Sequence, residues 1–314
     1  MSAESEPVVE PTATAERPGA IRAWILAARP KTLPAAATPV VVALALAARD
    51  LGVENMKVVP AVCAAIFALL AQIAANFVND YADFVKGADG KERKGPARAV
   101  ASGWISPRAM LIGTFATLAL ACCFGLATIP YGGYKLIVVG AACCLFCVLY
   151  SLGPKPLAYI GLGDVLVILF FGLVAVVFTY YLQTRVATWD ALLLGLALGF
   201  ASDNILVANN YRDCDEDRAN GKRTLIAIFG RRFGLAAYMA NGLIAFAMIA
   251  LLFSRNREWG AVAVASALLY LFAHFSVWRA MSRAREPREL IRILALSSRN
   301  VLILGVLVAV ALVS

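Results

Sequence analysis

The stretch Val58-Val-Pro-Ala-Val-Cys-Ala-Ala-Ile-Phe-Ala-Leu-Leu-Ala-Gln-Ile-Ala-Ala-Asn76-Phe-Val-Asn79-Asp80-Tyr81-Ala-Asp83-Phe-Val-Lys86-Gly87-Ala-Asp89 decides the fold. It opens as an apolar run long enough to cross a bilayer, which takes about 17–25 residues. It closes in amides, acids and a lysine. Runs of this length recur near 32–48, 58–79, 109–129, 134–150, 163–182, 190–209, 233–253, 260–278 and 295–313. Arg299 and Asn300 interrupt the last. Composition agrees: 61% of the 314 residues are hydrophobic and 16% charged, against about 45–50% and about 25% in an average soluble domain. Mean hydropathy is +0.76. Polar surface is too scarce to cover a soluble core of this kind. The expected class is all-α, a polytopic membrane protein of nine transmembrane helices.

Charge orients the bundle. With the N-terminus inside, 23 of the 29 Lys and Arg fall on inside segments, as the positive-inside rule requires. The net charge of +9 therefore records topology and not nucleic-acid binding. The C-terminus is expected outside. Residues 1–20, rich in Glu, Pro, Ala and Thr without an apolar core, read as a disordered cytoplasmic tail and not a signal peptide. The nine-helix domain is expected over 21–314. Cysteines lie mostly in apolar runs; Cys144-Leu-Phe-Cys147 has no His or second pair beside it and reads as small buried hydrophobes.

Topology does not account for the acids. Two segments, both after even-numbered spans and so both cytoplasmic, mix acids with bases. One is the end of the stretch quoted above. The other is Asn209-Asn210-Tyr211-Arg212-Asp213-Cys-Asp215-Glu216-Asp217, followed by Gly221-Lys222-Arg223-Thr224. On continuing helices Asn76, Asp80 and Asp83 share one face, and Asn209, Asp213 and Asp217 share another. Unpaired charge near a bilayer costs several kcal/mol, of the order of 3, so a cation must offset these stripes. Oxygen donors without His or thiolate suit Mg²⁺, which binds through one or two carboxylates plus phosphate oxygens. Lys86, Lys91, Arg93, Lys94 and Arg98 in one loop, and Arg212, Arg218, Lys222 and Arg223 in the other, would neutralise a diphosphate further. An EF-hand does not fit Asp213-x-Asp215-x-Asp217, because Arg218 and Thr224 stand where Gly and Glu are required.

These residues resemble the UbiA superfamily of intramembrane aromatic prenyltransferases, whose two Asp-rich motifs end the second and sixth of nine helices. Three stretches look like the branch that prenylates 1,4-dihydroxy-2-naphthoate in menaquinone synthesis. They are Ala28-Arg29-Pro30-Lys31-Thr32-Leu33-Pro34, Asn79-Asp80-Tyr81-x-Asp83-x-x-Lys86-Gly87-x-Asp89, and Asn209-Asn210-x-Arg212-Asp213-x-x-x-Asp217-x-x-x-Gly221-Lys222-x-Thr224-Leu225. Gly161-Leu-Gly163-Asp164 and Tyr181-Leu-Gln183 fit too. Two departures stand out. Gly87 occupies the place where the commoner first motif has a further Asp, and Tyr150 and Lys155 are five residues apart where some relatives have four.

The resemblance implies a helix bundle around a central cavity in a bacterial inner membrane, and a polyprenyl diphosphate and an aromatic acid as substrates. No protein partner is implied. Asn76, Asp80 and Asp83 would hold one Mg²⁺, and Asn209, Asp213 and Asp217 the other. Arg212, Lys222 and Lys155 would grip phosphate oxygens. Arg29 or Lys31 would pair with the acceptor carboxylate, a snorkelling anchor being the other reading. Phe77, Tyr150 and Tyr180 are candidates to face an allylic cation. Asp203, inside span six, reads as an acceptor-site acid or a buried partner to an Arg. Asp164 reads as an N-cap and His274 as a structural polar residue. Other aromatic acceptors are alternatives: 4-hydroxybenzoate, homogentisate or a tetrapyrrole carboxylate. An ion-coupled transporter would instead place its acids near the bilayer midplane.

Overall fold

A computed structural model describes residues 18–87, 97–256 and 260–314. Residues 1–17 of the expected tail lie outside it, as do Asp89, Lys91, Arg93 and Lys94. The helices are α1 (Ala20–Ala28), α2 (Pro34–Leu51), α3 (Val58–Val85), α4 (Pro107–Leu126), α5 (Lys135–Leu149) and α6 (Gly163–Thr184). They continue with α7 (Trp189–Arg212), α8 (Cys214–Ala219), α9 (Leu225–Phe229), α10 (Arg231–Asn256), α11 (Ala261–Arg283) and α12 (Pro287–Val313). The described residues contain no strand. Eight helices, α2–α4, α6, α7 and α10–α12, are long and apolar enough to cross a membrane. The fourth expected span is α5, shorter at 15 residues. Outward faces carry Phe115, Val138, Leu268 and Phe272, each 61–74% exposed. Apolar surface on this scale needs a lipid cover; the chain is an integral membrane protein.

Local chemistry sets the helix starts. Ser106 accepts from Ala109 N and Thr188 from Ala191 N, each satisfying an orphan amide of a first turn. Glu286 and Glu289 form a capping box with Pro287 at the first position of α12. From there α12 runs unbroken past Arg299 and Asn300. Arg299 is exposed, and Asn300 donates to the carbonyl of Ala273 at 3.1 Å. A neighbouring helix accepts from the amide nitrogen, and the last span is not broken. Helix α1 was not among the expected elements. It buries Ala23 and Ala27 and exposes Ile21, Ile25 and Leu26, the pattern of a helix lying in the membrane interface. Trp24 packs edge-on to Phe77 of α3, with centroids 5.2 Å apart.

The bundle is built around α7. In its central window 72% is buried, against 22–50% in the other spans, and it packs on α2, α6, α10 and α12. The contact with α6 is backbone to backbone. A Cβ on Gly172 would lie 2.3 Å from the carbonyl oxygen of Gly195, and one on Gly199 would lie 2.7 Å from that of Ile168. Along this seam α6 winds as a π-helix over Ile168–Val174. Gly195 and Gly199, four residues apart on α7, are what permits this close packing. His274 lies between the rings of Tyr238 and Tyr270, at 5.1 and 6.0 Å. Gly172→Ala should lower the thermal midpoint of the detergent-solubilised protein by several degrees, since overpacking costs about 1–3 kcal/mol. An unchanged melting curve would contradict the close approach.

Candidate active site

At one end of the bundle, α3 and α7 bring the two polar segments to a shared cavity of about 400 Å³. Its wall takes Gln72, Asn76, Asn79 and Asp83 from α3, a single helical face at spacings of four, three and four. It takes Ser202, Asn209 and Asn210 from α7 and Asp164 from the first turn of α6. Arg29, Arg98 and Lys222 are the bases on the wall, and the remainder is largely apolar. The polar end opens continuously into a hydrocarbon-like chamber.

Asp80 is turned away from this face. Its two oxygens accept from Ala99 N and Val100 N, each at 3.0 Å, and it is 2% exposed. It anchors the link before α4, and that link returns Arg98 to Asp83 at 2.5 Å. Asn79 occupies the cavity place expected for Asp80, and its Oδ1 accepts from Ser151 Oγ. Asn76 lines the cavity, but its amide nitrogen donates to Ala28 O at 2.9 Å and Thr32 Oγ1 at 3.3 Å. It thereby ties the elbow between α1 and α2 to α3. At that elbow Arg29 has φ of 51°, a left-handed conformation that bulky residues avoid.

On the second segment α7 stops at Arg212, and Asp213 joins it to α8. Arg212, 4% exposed, clasps both Asp213 oxygens at 2.6 and 2.7 Å and Asn209 Oδ1 at 2.9 Å. Lys222 reaches Asp217 at 3.3 Å, and Thr224 Oγ1 donates to it at 3.5 Å. Burial pushes the Asp217 carboxyl up to about 6; Lys222 pulls it back and Asp213 adds to the rise. Lys86 donates to Ser151 O at 2.7 Å and sits 4.0 Å from the Tyr159 ring centroid, with Lys222 5.8 Å from the same ring. Burial lowers the Lys86 ammonium below the ordinary lysine range, against the pull of Asp83 and with that of Lys222. The loop after α5 is thus held between lysines from both segments.

Several expected residues lie elsewhere. Lys155 is exposed on that loop and off the cavity wall, and Lys31 is exposed beside the elbow. Of the aromatic candidates, Tyr150 lines the cavity. Phe77 packs on Trp24, and Tyr180 donates to Asp50 at 2.7 Å at the far end. Asp203 faces Asn241 at 2.8 Å and not an arginine. Asp164 does not cap α6, whose N-cap is Leu162 without a side-chain bond. Tyr159 was missed, since nothing in a sequence marks a ring that two distant lysines share.

No group of three or more His, Cys, Asp or Glu able to hold a metal occurs among the described residues. The donors are amides and single acids divided between two helix ends. Such a set suits a cation that completes its shell with water and phosphate oxygens. The buried Oδ1 of Asn210 and Oγ of Ser202, both without hydrogen-bond partners, also fit a cavity meant to be filled.

Residues 36–299 match the model of the UbiA prenyltransferase family. The chain belongs to that family. It is 36% identical over 290 residues to the 1,4-dihydroxy-2-naphthoate octaprenyltransferase of Mycobacterium tuberculosis, covering 92% of this chain and 96% of that one. It is 35% identical over 249 residues to the enzyme of that name from Escherichia coli, covering 76% and 79%. A UbiA homolog from Archaeoglobus fulgidus, solved bound to GPP and Mg²⁺, superposes with a TM-score of 0.65 at 16% identity, covering 92% of this chain and 99% of that one. The fold is the UbiA fold, and the chain is a prenyltransferase.

The two acids of the first segment should separate by experiment. Asp80→Asn turns an amide donor toward a backbone N–H and leaves a buried group unsatisfied, at about 1–3 kcal/mol. It should lower the thermal midpoint and speed proteolysis between α3 and α4. Asp83→Asn should leave the midpoint within about 2 °C of the parent on this scale and remove most prenyl transfer. Equal melting of Asp80→Asn and the parent would contradict its anchoring role.

Proposed function

We propose that this prenyltransferase moves a polyprenyl group from its diphosphate to 1,4-dihydroxy-2-naphthoate, releasing diphosphate and CO₂ and giving demethylmenaquinol. The observation that carries the reading is the single cavity joining Asn79 and Asp83 to Asn209 and Lys222 and continuing into an apolar chamber. A diphosphate suits the first part and a prenyl tail the second. The naphthoate acceptor is supported by the similarity to relatives of that name from M. tuberculosis and E. coli.

Asn79 and Asp83 on one side, and Asn209, Asp213 and Asp217 on the other, would hold Mg²⁺; of the expected set, Asp80 gives way to Asn79, and Asn76 serves as the tie to Ala28 and Thr32. When bound, the cation neutralises charge on the departing diphosphate. Arg98 and Lys222, now on Asp83 and Asp217, turn to phosphate oxygens, and Lys86 stands beside them. Arg212 holds Asp213 and Asn209 in place and does not itself reach for phosphate. Arg29, on the wall at the elbow, pairs with the acceptor carboxylate. Tyr150 presents its ring to the allylic cation. On this reading the motif end and the N-terminus lie in the cytoplasm and the C-terminus outside a bacterial plasma membrane, an orientation supported by the Lys and Arg bias of the loops.

The test is prenyl transfer by membranes carrying the protein, with Mg²⁺, a polyprenyl diphosphate and each of dihydroxynaphthoate, 4-hydroxybenzoate and homogentisate. Prenylated, decarboxylated product is expected from dihydroxynaphthoate alone. Product from another acceptor only would reassign the branch. Asp213→Asn should reduce turnover at least about 10²-fold while the protein still inserts; near-normal turnover would contradict the divided clamp.

A further inference from the structure

Two acids stand on the cavity wall, and only one has a place in the clamp. Asp83 is held by Arg98. Asp164 makes no ion pair and accepts no hydrogen bond from another residue among those described; its one such contact is its own backbone N–H. Membrane interiors retain such a group for function.

Its position follows from the glycine seam. A Cβ on Gly163 would lie 3.2 Å from Tyr150 Oη and 3.3 Å from Leu206 Cδ2, while Ile168 meets Gly199 and Gly172 meets Gly195. This antiparallel register sets Asp164 opposite residues 202–206 of α7. Asn209 lies about 8 Å further along the axis, at 1.5 Å per residue. Asp164 therefore sits one diphosphate-length deeper than the clamp, where the reacting carbons would meet. Its field reaches Tyr150 and Asp203. Tyr150 Oη makes no hydrogen bond to a described residue, and Ser202 Oγ, on a residue 2% exposed at the same level, is buried without a partner. All three side chains line the one cavity at this level.

We propose that Asp164 is the proton acceptor for the ring hydroxyl of the aromatic substrate, with Tyr150 and Ser202 orienting that hydroxyl. The proposal rests on the aromatic-acid reading above. The new carbon–carbon bond forms between the allylic carbon and the ring carbon bearing the carboxylate. As it forms, the adjacent O–H pair becomes the carbonyl π bond and its proton passes to Asp164. The product of this step is a β-keto acid. Its carboxylate leaves as CO₂, the electron pair returns to the carbonyl oxygen, and Asp164 gives the proton back. Protons balance over the cycle, so the acid needs no exit path to solvent.

The experiment compares the purified parent with Asp164→Asn and Asp164→Glu. In Asp164→Asn, kcat should fall about 10²-fold, KM for the prenyl diphosphate should stay within about twofold on this reading, and oxygen isotope exchange within the diphosphate should persist. Asp164→Glu should recover part of kcat. A ring-halogenated dihydroxynaphthoate whose hydroxyl is already ionised at the assay pH should bring Asp164→Asn close to the parent, and a merely structural role would not respond to that substrate. If Asp164→Asn does not fold, Asp164→Glu against the parent carries the same comparison. Turnover within about threefold of the parent, loss of isotope exchange together with transfer, or no recovery with the ionised acceptor would each overturn the proposal. Should the parent itself prenylate no aromatic acid while isotope exchange continues, it is the acceptor reading that fails.

Discussion

Carboxylates at a membrane boundary must be paired, and the motif end of this bundle is organised by that requirement. Asp83 holds Arg98, Asp213 holds Arg212 and Asp217 holds Lys222. These contacts are part-buried, and they do more to place the chain than to stabilise it. The pairs therefore fix where the loops go. The link before α4 returns to α3 so that Arg98 can meet Asp83, and its amides at 99 and 100 close on Asp80. The segment after α8 folds back so that Lys222 can meet Asp217, and Thr224 both touches that acid and caps α9.

Helix α7 turns these local pairs into one site. It carries the second segment at its end, and its glycines let α6 approach to backbone contact. The π-helical turn of α6 lies along this seam, and its Phe170 and Phe171 line the cavity. Without the seam, Asp164 and Tyr150 would stand off from Ser202 by the width of a side chain. The far end is closed by a separate polar lock: Arg49 meets Asp190 at 2.9 Å, and Gln183 exchanges hydrogen bonds with the backbone of Lys57 at 2.8 and 3.0 Å. Chemistry is thus confined to the end where the helices part around polar side chains.

Much of this was legible in the residues. Apolar run lengths located the nine helices, including α12 across Arg299 and Asn300, and the polar helix ends located the cavity mouth. What could not be read was rotation. Asn79 and Asp80 are neighbours, 100° apart around α3, and both are plausible ligands by type. Only the return of the chain at Ala99 and Val100 decides which one turns inward, and backbone amides nineteen and twenty residues away leave no mark in composition. Asp164 failed for a related reason. An acid near a helix start reads as a cap, yet α6 begins one residue before it and gives its carboxylate no amide to hold beyond its own.

The pairing also bears on how a trianionic leaving group enters without exposing charge. In the free protein the three clamp acids, Asp83, Asp213 and Asp217, are each covered by a base from their own segment, so the clamp is nearly neutral before substrate arrives. On the proposed reading, a metal diphosphate brings cation and anion together. Asp83 and Asp217 would then help hold the metal, Arg212 would stay on Asp213, and Arg98 and Lys222 would turn from their acids to phosphate oxygens. Each charge that moves trades one partner for another at nearly the same place, and no step leaves a bare carboxylate or ammonium against lipid, where either would cost roughly 3 kcal/mol or more. A site of acids alone would have to gather metal first; a site of bases alone would hold diphosphate too long after transfer. Self-paired segments on two helix ends avoid both, which is a physical reason for acids and bases to be interleaved within each segment.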